Sequence, residues 1–154
     1  AGLLNGGVYN PPTIIKSATA DGKPVALPVR EPRRIVSTTT SAQIRDLMRA
    51  VVDNSSTGKY SLRLDGYTSG GKTGTAQRGT AKGYRGYITS YVGFAPLKDP
   101  QLVTYVVVNN PKKGDPTGTQ VAAPVFRDIM PHALPRYSVA PSKQAVLKPK
   151  PIDW

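Results

Sequence analysis

The chain has 154 residues, 38% hydrophobic and 19% charged, with a formal net charge of +12; that is apolar enough for a core and too lean in charge for a disordered chain. Cysteine is absent, which excludes disulfides, thiol chemistry and Cys-ligated zinc, and with His132 the only histidine and Glu31 the only glutamate, a Ser-His-Asp triad or a carboxylate-rich metal site is poorly supplied. No apolar run reaches the length of a membrane span and no signal-peptide pattern is present, so any anchor is expected outside this chain.

Residues 1–16 read as a turn at Asn5-Gly6-Gly7, a short extended stretch at Val8-Tyr9 and then Pro11-Pro12. Residues 17–34 are polar and proline-rich, a loop with one short strand pair. Residues 41–53 carry the clearest helical signal: Ile44, Leu47, Met48, Val51 and Val52 fall on one stripe, with Arg45, Asp46 and Arg49 opposite. Ser37-Thr38-Thr39-Thr40-Ser41 supplies hydroxyl caps ahead of it, and Asn54 to Gly58 ends it.

Three strand-like runs follow. The first surrounds Thr68 to Gln77. The second is Tyr87 to Ala95, with Ile88, Ser90, Val92 and Phe94 on one face. The third is Leu102 to Val108, apolar on both faces, which predicts a central strand covered on both sides. Pro96 to Pro100 is a short link that favours an antiparallel hairpin. Residues 120–134 resume helical spacing through Ala122, Val125, Phe126, Ile129, Met130, Ala133 and Leu134, on condition that Pro124 lies in the first turn. Residues 136–154 read as an extended Pro/Lys-rich tail, leaving 1–135 as the domain portion. Helix, three antiparallel strands and helix predict an α+β fold, an antiparallel sheet covered by helices.

Two motifs overlap in one place. Gly66-Tyr67-Thr68-Ser69-Gly70-Gly71-Lys72-Thr73 matches the phosphate-loop letters G-x-x-x-x-G-K-[ST]. That loop needs a helix after it, whose N-terminal N–H groups face the phosphates. Here Gly74, Gly79, Gly83 and Gly86 follow, each costing a helix up to about 1 kcal/mol relative to Ala, so a nucleotide site is disfavoured. The other reading puts Lys72, Thr73, Gly74 and Thr75 on a strand. Thr73 and Thr75 then share one side, and Gly74, without a Cβ, lets a ligand approach the backbone. Such an edge can hold a carboxylate by charge-assisted hydrogen bonds while its main chain pairs with an extended peptide. Lys72-Thr73-Gly74 alone is equally compatible with an ordinary strand bearing an exposed lysine.

The longer strings narrow the choice. Gly70-Gly71-Lys72-Thr73-Gly74-Thr75-Ala76-Gln77, Tyr91-Val92-Gly93-Phe94-Ala95-Pro96 and Val106-Val107-Val108-Asn109-Asn110-Pro111 closely resemble the third motif region of class B penicillin-binding proteins, in their cell-division type. Asn5 to Pro12 resembles the segment ahead of that region, and Ala122-Ala123-Pro124-Val125-Phe126 the family's last helix. The resemblance implies the C-terminal part of a serine transpeptidase, β-lactamase-like domain. It implies a peptidoglycan D,D-transpeptidase in which a serine of an S-x-x-K motif forms an acyl-enzyme with a stem peptide or a β-lactam. Lys72 would hold positive potential by the nucleophile, Thr73 and Thr75 would bind the substrate or drug carboxylate, and the Thr75 N–H would be an oxyanion-hole donor beside Gly74.

The family's S-x-x-K and S-x-N motifs are expected upstream, in an N-terminal remainder. Ser56-Thr57-Gly58-Lys59 fits the first by letters, but it follows a helix instead of opening one, and no S-x-N occurs. The chain alone is therefore expected to be inactive. No cofactor, metal or nucleic-acid partner is implied. Stem peptides, β-lactams and division or wall-synthesis proteins are, at the extracytoplasmic face of the bacterial membrane. The competing reading is a non-catalytic basic module for an anionic wall polymer or nucleic acid, which the net charge alone would suit. Tyr84, Tyr87 and Tyr91 are expected on the sheet surface rather than at a cleft rim, and Arg78, Lys82 and Arg85 on a Gly-rich loop, solvated rather than bordering the substrate groove.

Overall fold

The computed structural model describes residues 1–142; the expected tail beyond, with Lys148 to Pro151 and Trp154, lies outside the described residues. The chain divides into a unit of Ala1–Ile44 and a unit from Arg45 on.

In the first unit, strand β1 (Val8–Tyr9) pairs antiparallel with β4 (Arg33–Arg34). The turn before β1 is held by Asn5, whose Oδ1 accepts the Val8 N–H at 3.1 Å. The expected strand pair in the loop is β2 (Ala18–Ala20) with β3 (Lys23–Val25). It turns through Asp21 (φ 51°) and Gly22 (φ 75°), the left-handed pair that matches hairpin twist.

Helix α1 (Thr38–Asp53) starts earlier than its apolar stripe. Ser37 Oγ accepts the Thr40 N–H at 3.0 Å, the N-cap bond that the hydroxyl run predicts. The stripe is only partly used: Val52 is buried, Ile44, Met48 and Val51 are half-buried, and Leu47 is 68% exposed. The spacing reported Leu47's helical face correctly but not how wide a contact that face finds.

The second unit is built on three antiparallel strands, β5 (Gly70–Thr80), β6 (Gly83–Ala95) and β7 (Leu102–Asn109), in the order β5-β6-β7. The β6–β7 hairpin is the one expected from the short Pro96–Pro100 link. The β5–β6 hairpin is longer than expected, so Arg78 and Arg85 lie on strands rather than on a Gly-rich loop, with only Ala81 and Lys82 between the arms. Thr80 makes this tight end possible: its hydroxyl donates to the Gly83 carbonyl at 2.7 Å and accepts the Lys82 N–H at 3.3 Å.

Among the described residues β7, like β5, is an outer strand of the three, so the central position read from its two apolar faces is not reached within them. Its half-buried face packs on α2, with the Thr104 hydroxyl donating to Met130 Sδ at 3.2 Å, while Val103, Tyr105 and Val107 are 41%, 65% and 49% exposed. Two-faced hydrophobicity records what a strand needs, and only one of the two covers lies within the described residues.

Helix α2 (Gly118–Arg136) begins two residues before the expected start, so Pro124 falls inside it rather than in its first turn, as do Pro131 and Pro135. Each proline removes an i→i−4 bond. Burial of Ala122, Ala123, Phe126, Met130 and Leu134 against the sheet compensates, whereas Val125 and Ile129 of the expected stripe are 39% and 44% exposed. The core gathers these side chains with Tyr91, Ala95, Val52, Leu62, Leu64 and Tyr67. Tyr91, expected on the surface, is fully buried and meets Phe126 edge to face, ring centroids 5.1 Å apart at 62°. A β-carbon on Gly93 would stand 2.5 Å from the Phe126 ring, so glycine there makes the ring's seat. Past α2 the chain returns along the sheet's entry: Tyr67 OH donates to the Val139 carbonyl at 3.0 Å and the Thr68 N–H to Ser142 Oγ at 2.9 Å.

Candidate active site on strand β5

Lys72, Thr73, Gly74 and Thr75 lie consecutively on β5, paired with Val92, Tyr91, Ser90 and Thr89 of β6. The opposite edge of β5 has no strand partner among the described residues. The phosphate-loop arrangement is not formed: after Thr73 the backbone stays extended to Thr80, so the loop does not open into the helix that a phosphate loop needs.

The two-residue period of the strand sorts the side chains. Lys72 and Gly74 share one face, Thr73 and Thr75 the other. Lys72 is exposed and its ammonium donates to the Thr73 carbonyl at 2.9 Å, which folds the cation back over the strand. Over Gly74 sits Ser90: a β-carbon at residue 74 would stand 2.5 Å from Ser90 Oγ. A glycine here therefore keeps both the backbone and a hydroxyl accessible on the lysine's face.

Thr75 is tied to the far end of the chain. Its Oγ1 accepts the N–H of Gly118, the first residue of α2, at 3.2 Å. That bond occupies a lone pair of the hydroxyl and leaves its O–H free to donate to an anion. Gly118 itself lies hard against the strands: a β-carbon on it would run into the Ser90 carbonyl and stand 3.0 and 3.1 Å from the Gly74 oxygen and nitrogen. The sequence reading missed both Gly118 and Ser90. A lone glycine opening a helix and a strand serine carry no local signal of what they touch.

Neither string with S-x-x-K letters stands at a helix N-terminus. Ser56 follows α1, and its hydroxyl contacts the Tyr60 carbonyl at 3.3 Å. Ser69-Gly70-Gly71-Lys72, a match the sequence reading passed over, enters β5, so its lysine is on a strand rather than one helical turn from the serine. Ser69 Oγ is buried without a hydrogen-bond partner. Among the described residues no group of three or more His, Asp or Glu is placed to hold a metal, and no helix is long and apolar enough to cross a membrane.

Comparison with known proteins matches residues 1–131 to the penicillin binding protein transpeptidase domain. The chain is 38% identical over 150 residues to stage V sporulation protein D of Bacillus subtilis, covering 94% of this chain and 23% of that protein. It is 34% identical over 129 residues to the probable peptidoglycan D,D-transpeptidase PbpC of Pseudomonas aeruginosa, covering 79% and 23%. Among solved structures, penicillin-binding protein 3 of Mycobacterium tuberculosis complexed with ampicillin superposes with a TM-score of 0.74 at 28% identity, over 95% of this chain and 35% of that one. The apo transpeptidase domain of penicillin-binding protein 3 from Burkholderia pseudomallei gives 0.70 at 34% identity, over 92% and 41%. The chain thus spans about a quarter of the curated relatives' length.

Proposed function

Because the chain belongs to the penicillin-binding protein transpeptidase family, in its class B, division type, we propose that it forms the C-terminal part of a peptidoglycan D,D-transpeptidase and supplies one wall of the acyl-transfer site. The nucleophilic serine comes from an N-terminal remainder bearing S-x-x-K and S-x-N. The observation that carries this reading is the placement of Lys72, Thr73, Gly74 and Thr75 on an outer strand whose free edge can take an extended peptide.

In this mechanism the Lys72 ammonium keeps the cleft electropositive and lowers the cost of the anions formed there. The Thr73 and Thr75 hydroxyls donate to the carboxylate of a stem peptide or a β-lactam. The Thr75 N–H stabilises the oxyanion as the serine attacks the carbonyl, a donor whose loss typically costs about 3–4 kcal/mol in the transition state. The leaving group is the terminal residue of the donor stem. An amine of a neighbouring stem then resolves the acyl-enzyme. The complete protein works at the extracytoplasmic face of the membrane with division or wall-synthesis partners.

The test is covalent labelling by a fluorescent penicillin when the chain is produced together with the S-x-x-K-bearing part. Lys72→Ala and Thr73→Ala are expected to slow labelling by about tenfold or more each. Undiminished labelling in both variants would remove the roles assigned here. The alternative of a non-catalytic basic module draws on the net charge of +12 and predicts steeply salt-dependent binding that is indifferent to Lys72→Ala.

The exposed Val103, Tyr105 and Val107 face and the unpaired edge of β7 belong, on this reading, under the remainder of the domain. Purified alone, the chain is expected to melt broadly and to gain a sharp cooperative transition only with its complement. A monomer that melts sharply by itself would contradict this.

A further inference from the structure

Residues Tyr137 to Ser142 lie past the stretch 1–131 matched to the family's domain, and they fold back as a strap over the entry to β5. The strap leaves the end of α2. The Tyr137 N–H donates to the Ala133 and Leu134 carbonyls at 3.2 and 3.1 Å, Ser138 turns through a left-handed φ of 59°, and the Val139 N–H donates to the Leu134 carbonyl at 3.0 Å. It then crosses residues 66–68. Tyr67 OH donates to the Val139 carbonyl at 3.0 Å, the Ser142 N–H to the Gly66 carbonyl at 3.0 Å, and the Thr68 N–H to Ser142 Oγ at 2.9 Å. The Thr68 and Ser142 hydroxyls are 3.1 Å apart, and Thr68 Oγ1 accepts the Leu97 N–H at 3.4 Å from the β6–β7 link.

These bonds hold a segment that the β5–β6 ladder does not. The ladder begins with Gly70 against Phe94, so residues 66–69 lie outside it. Between Thr68 and Lys72 stand Ser69, Gly70 and Gly71. Packing requires the two glycines, since a β-carbon on Gly70 would meet the Phe94 ring and one on Gly71 the Tyr91 hydroxyl. Their backbone is also the most permissive, so the strand is weakly restrained just ahead of Lys72. Thr68 is at most about 14 Å of extended chain from Lys72. At the other end the Gly118 N–H donates to Thr75 Oγ1. Helix α2 thus grips residues 68–75 twice, by its first residue and by the strap that leaves its last. We propose that Thr68 and Ser142 are positioning residues for acyl transfer, through which the strap sets where Lys72 and Thr73 stand against the acyl donor. The helix itself is seated by burial of Phe126, Met130 and Leu134, so a few strap bonds matter less to global stability than to local order at the strand's entry. The inference rests on the assignment of β5 as the donor-binding strand.

The experiment follows acylation of the assembled transpeptidase by a chromogenic β-lactam beside its unfolding in urea. Ser142→Ala and Thr68→Val are each expected to lower the limiting acylation rate about tenfold, a fraction of the loss of about a hundredfold that a 1 Å misplacement brings. The affinity of the complex that precedes acylation and the urea midpoint should move little. Ser142→Thr, which keeps the oxygen, should acylate like the unsubstituted protein. Hydrogen exchange at residues 69–73 should quicken in Ser142→Ala while that of β7 does not change. Unchanged acylation in both Ser142→Ala and Thr68→Val would overturn the proposal, even with faster exchange at the strand's entry. So would a rate loss that Ser142→Thr does not restore, or one that only tracks a falling midpoint. An unsubstituted protein that β-lactam does not acylate would overturn the reading of β5, and the role of the strap with it.

Discussion

Gly118→Val is expected to lower the acylation rate of the assembled transpeptidase by about a hundredfold while leaving it folded. The argument is steric. A β-carbon at Gly118 would run into the Ser90 carbonyl and lie 3.0 and 3.1 Å from the Gly74 oxygen and nitrogen, all main-chain atoms that no rotamer change can move. Helix α2 must therefore retreat or β5 must shift. Either breaks the 3.2 Å bond from the Gly118 N–H to Thr75 Oγ1 and turns the Thr75 hydroxyl away from its set direction. Misplacement of reacting groups by about 1 Å can cost on the order of a hundredfold in rate, while overpacking of this kind costs about 1–3 kcal/mol in stability. The two readouts separate position from folding. Acylation measured by stopped-flow with a chromogenic β-lactam should collapse while the denaturation midpoint falls modestly, and Gly118→Ala should lie between. Normal acylation in Gly118→Val would show that the helix does not position the strand.

Phe126→Ala is expected to destabilise the domain by about 3–5 kcal/mol, the range for emptying a fully buried aromatic site. Phe126 is wholly buried, lies against Gly93 and meets Tyr91 edge to face at 5.1 Å. The void cannot collapse easily, because the neighbours on the sheet side are the β6 backbone at Gly93 and a tyrosine already packed under Gly71. Urea unfolding of the assembled transpeptidase would register the loss as a lower midpoint with an unchanged slope. Phe126→Leu, which refills part of the volume, should recover about half of it. A loss below about 1 kcal/mol for Phe126→Ala, taken as the midpoint shift multiplied by the slope, would mean that α2 is held by something other than this contact.

Both expectations concern contacts between segments distant in the chain, and that is where sequence reasoning stopped. The α1 segment, the antiparallel β6–β7 hairpin and the α2 segment were legible because each has a period or a short link that local backbone geometry reads directly. Lys72, Thr73, Gly74 and Thr75 could be placed on a strand because glycines after Thr73 disfavour the helix that a phosphate loop needs, and the family could be named from the strings around them. The buried position of Tyr91 was not legible, since alternation along a strand names its two faces without telling which will be covered. Nor was it legible which face of β7 helix α2 would cover, since both faces are apolar.

By itself, then, the sequence determined the order of the main elements, the β6–β7 hairpin and the family, all properties carried by local spacing or by letter strings. Only the tertiary structure decided which strands are outer, which face of the sheet α2 covers, and that Gly118, 43 positions from Thr75, stands behind it as a hydrogen-bond donor. The reason is physical: a glycine's missing β-carbon has meaning only through the atoms that occupy its place, and those atoms come from another part of the chain.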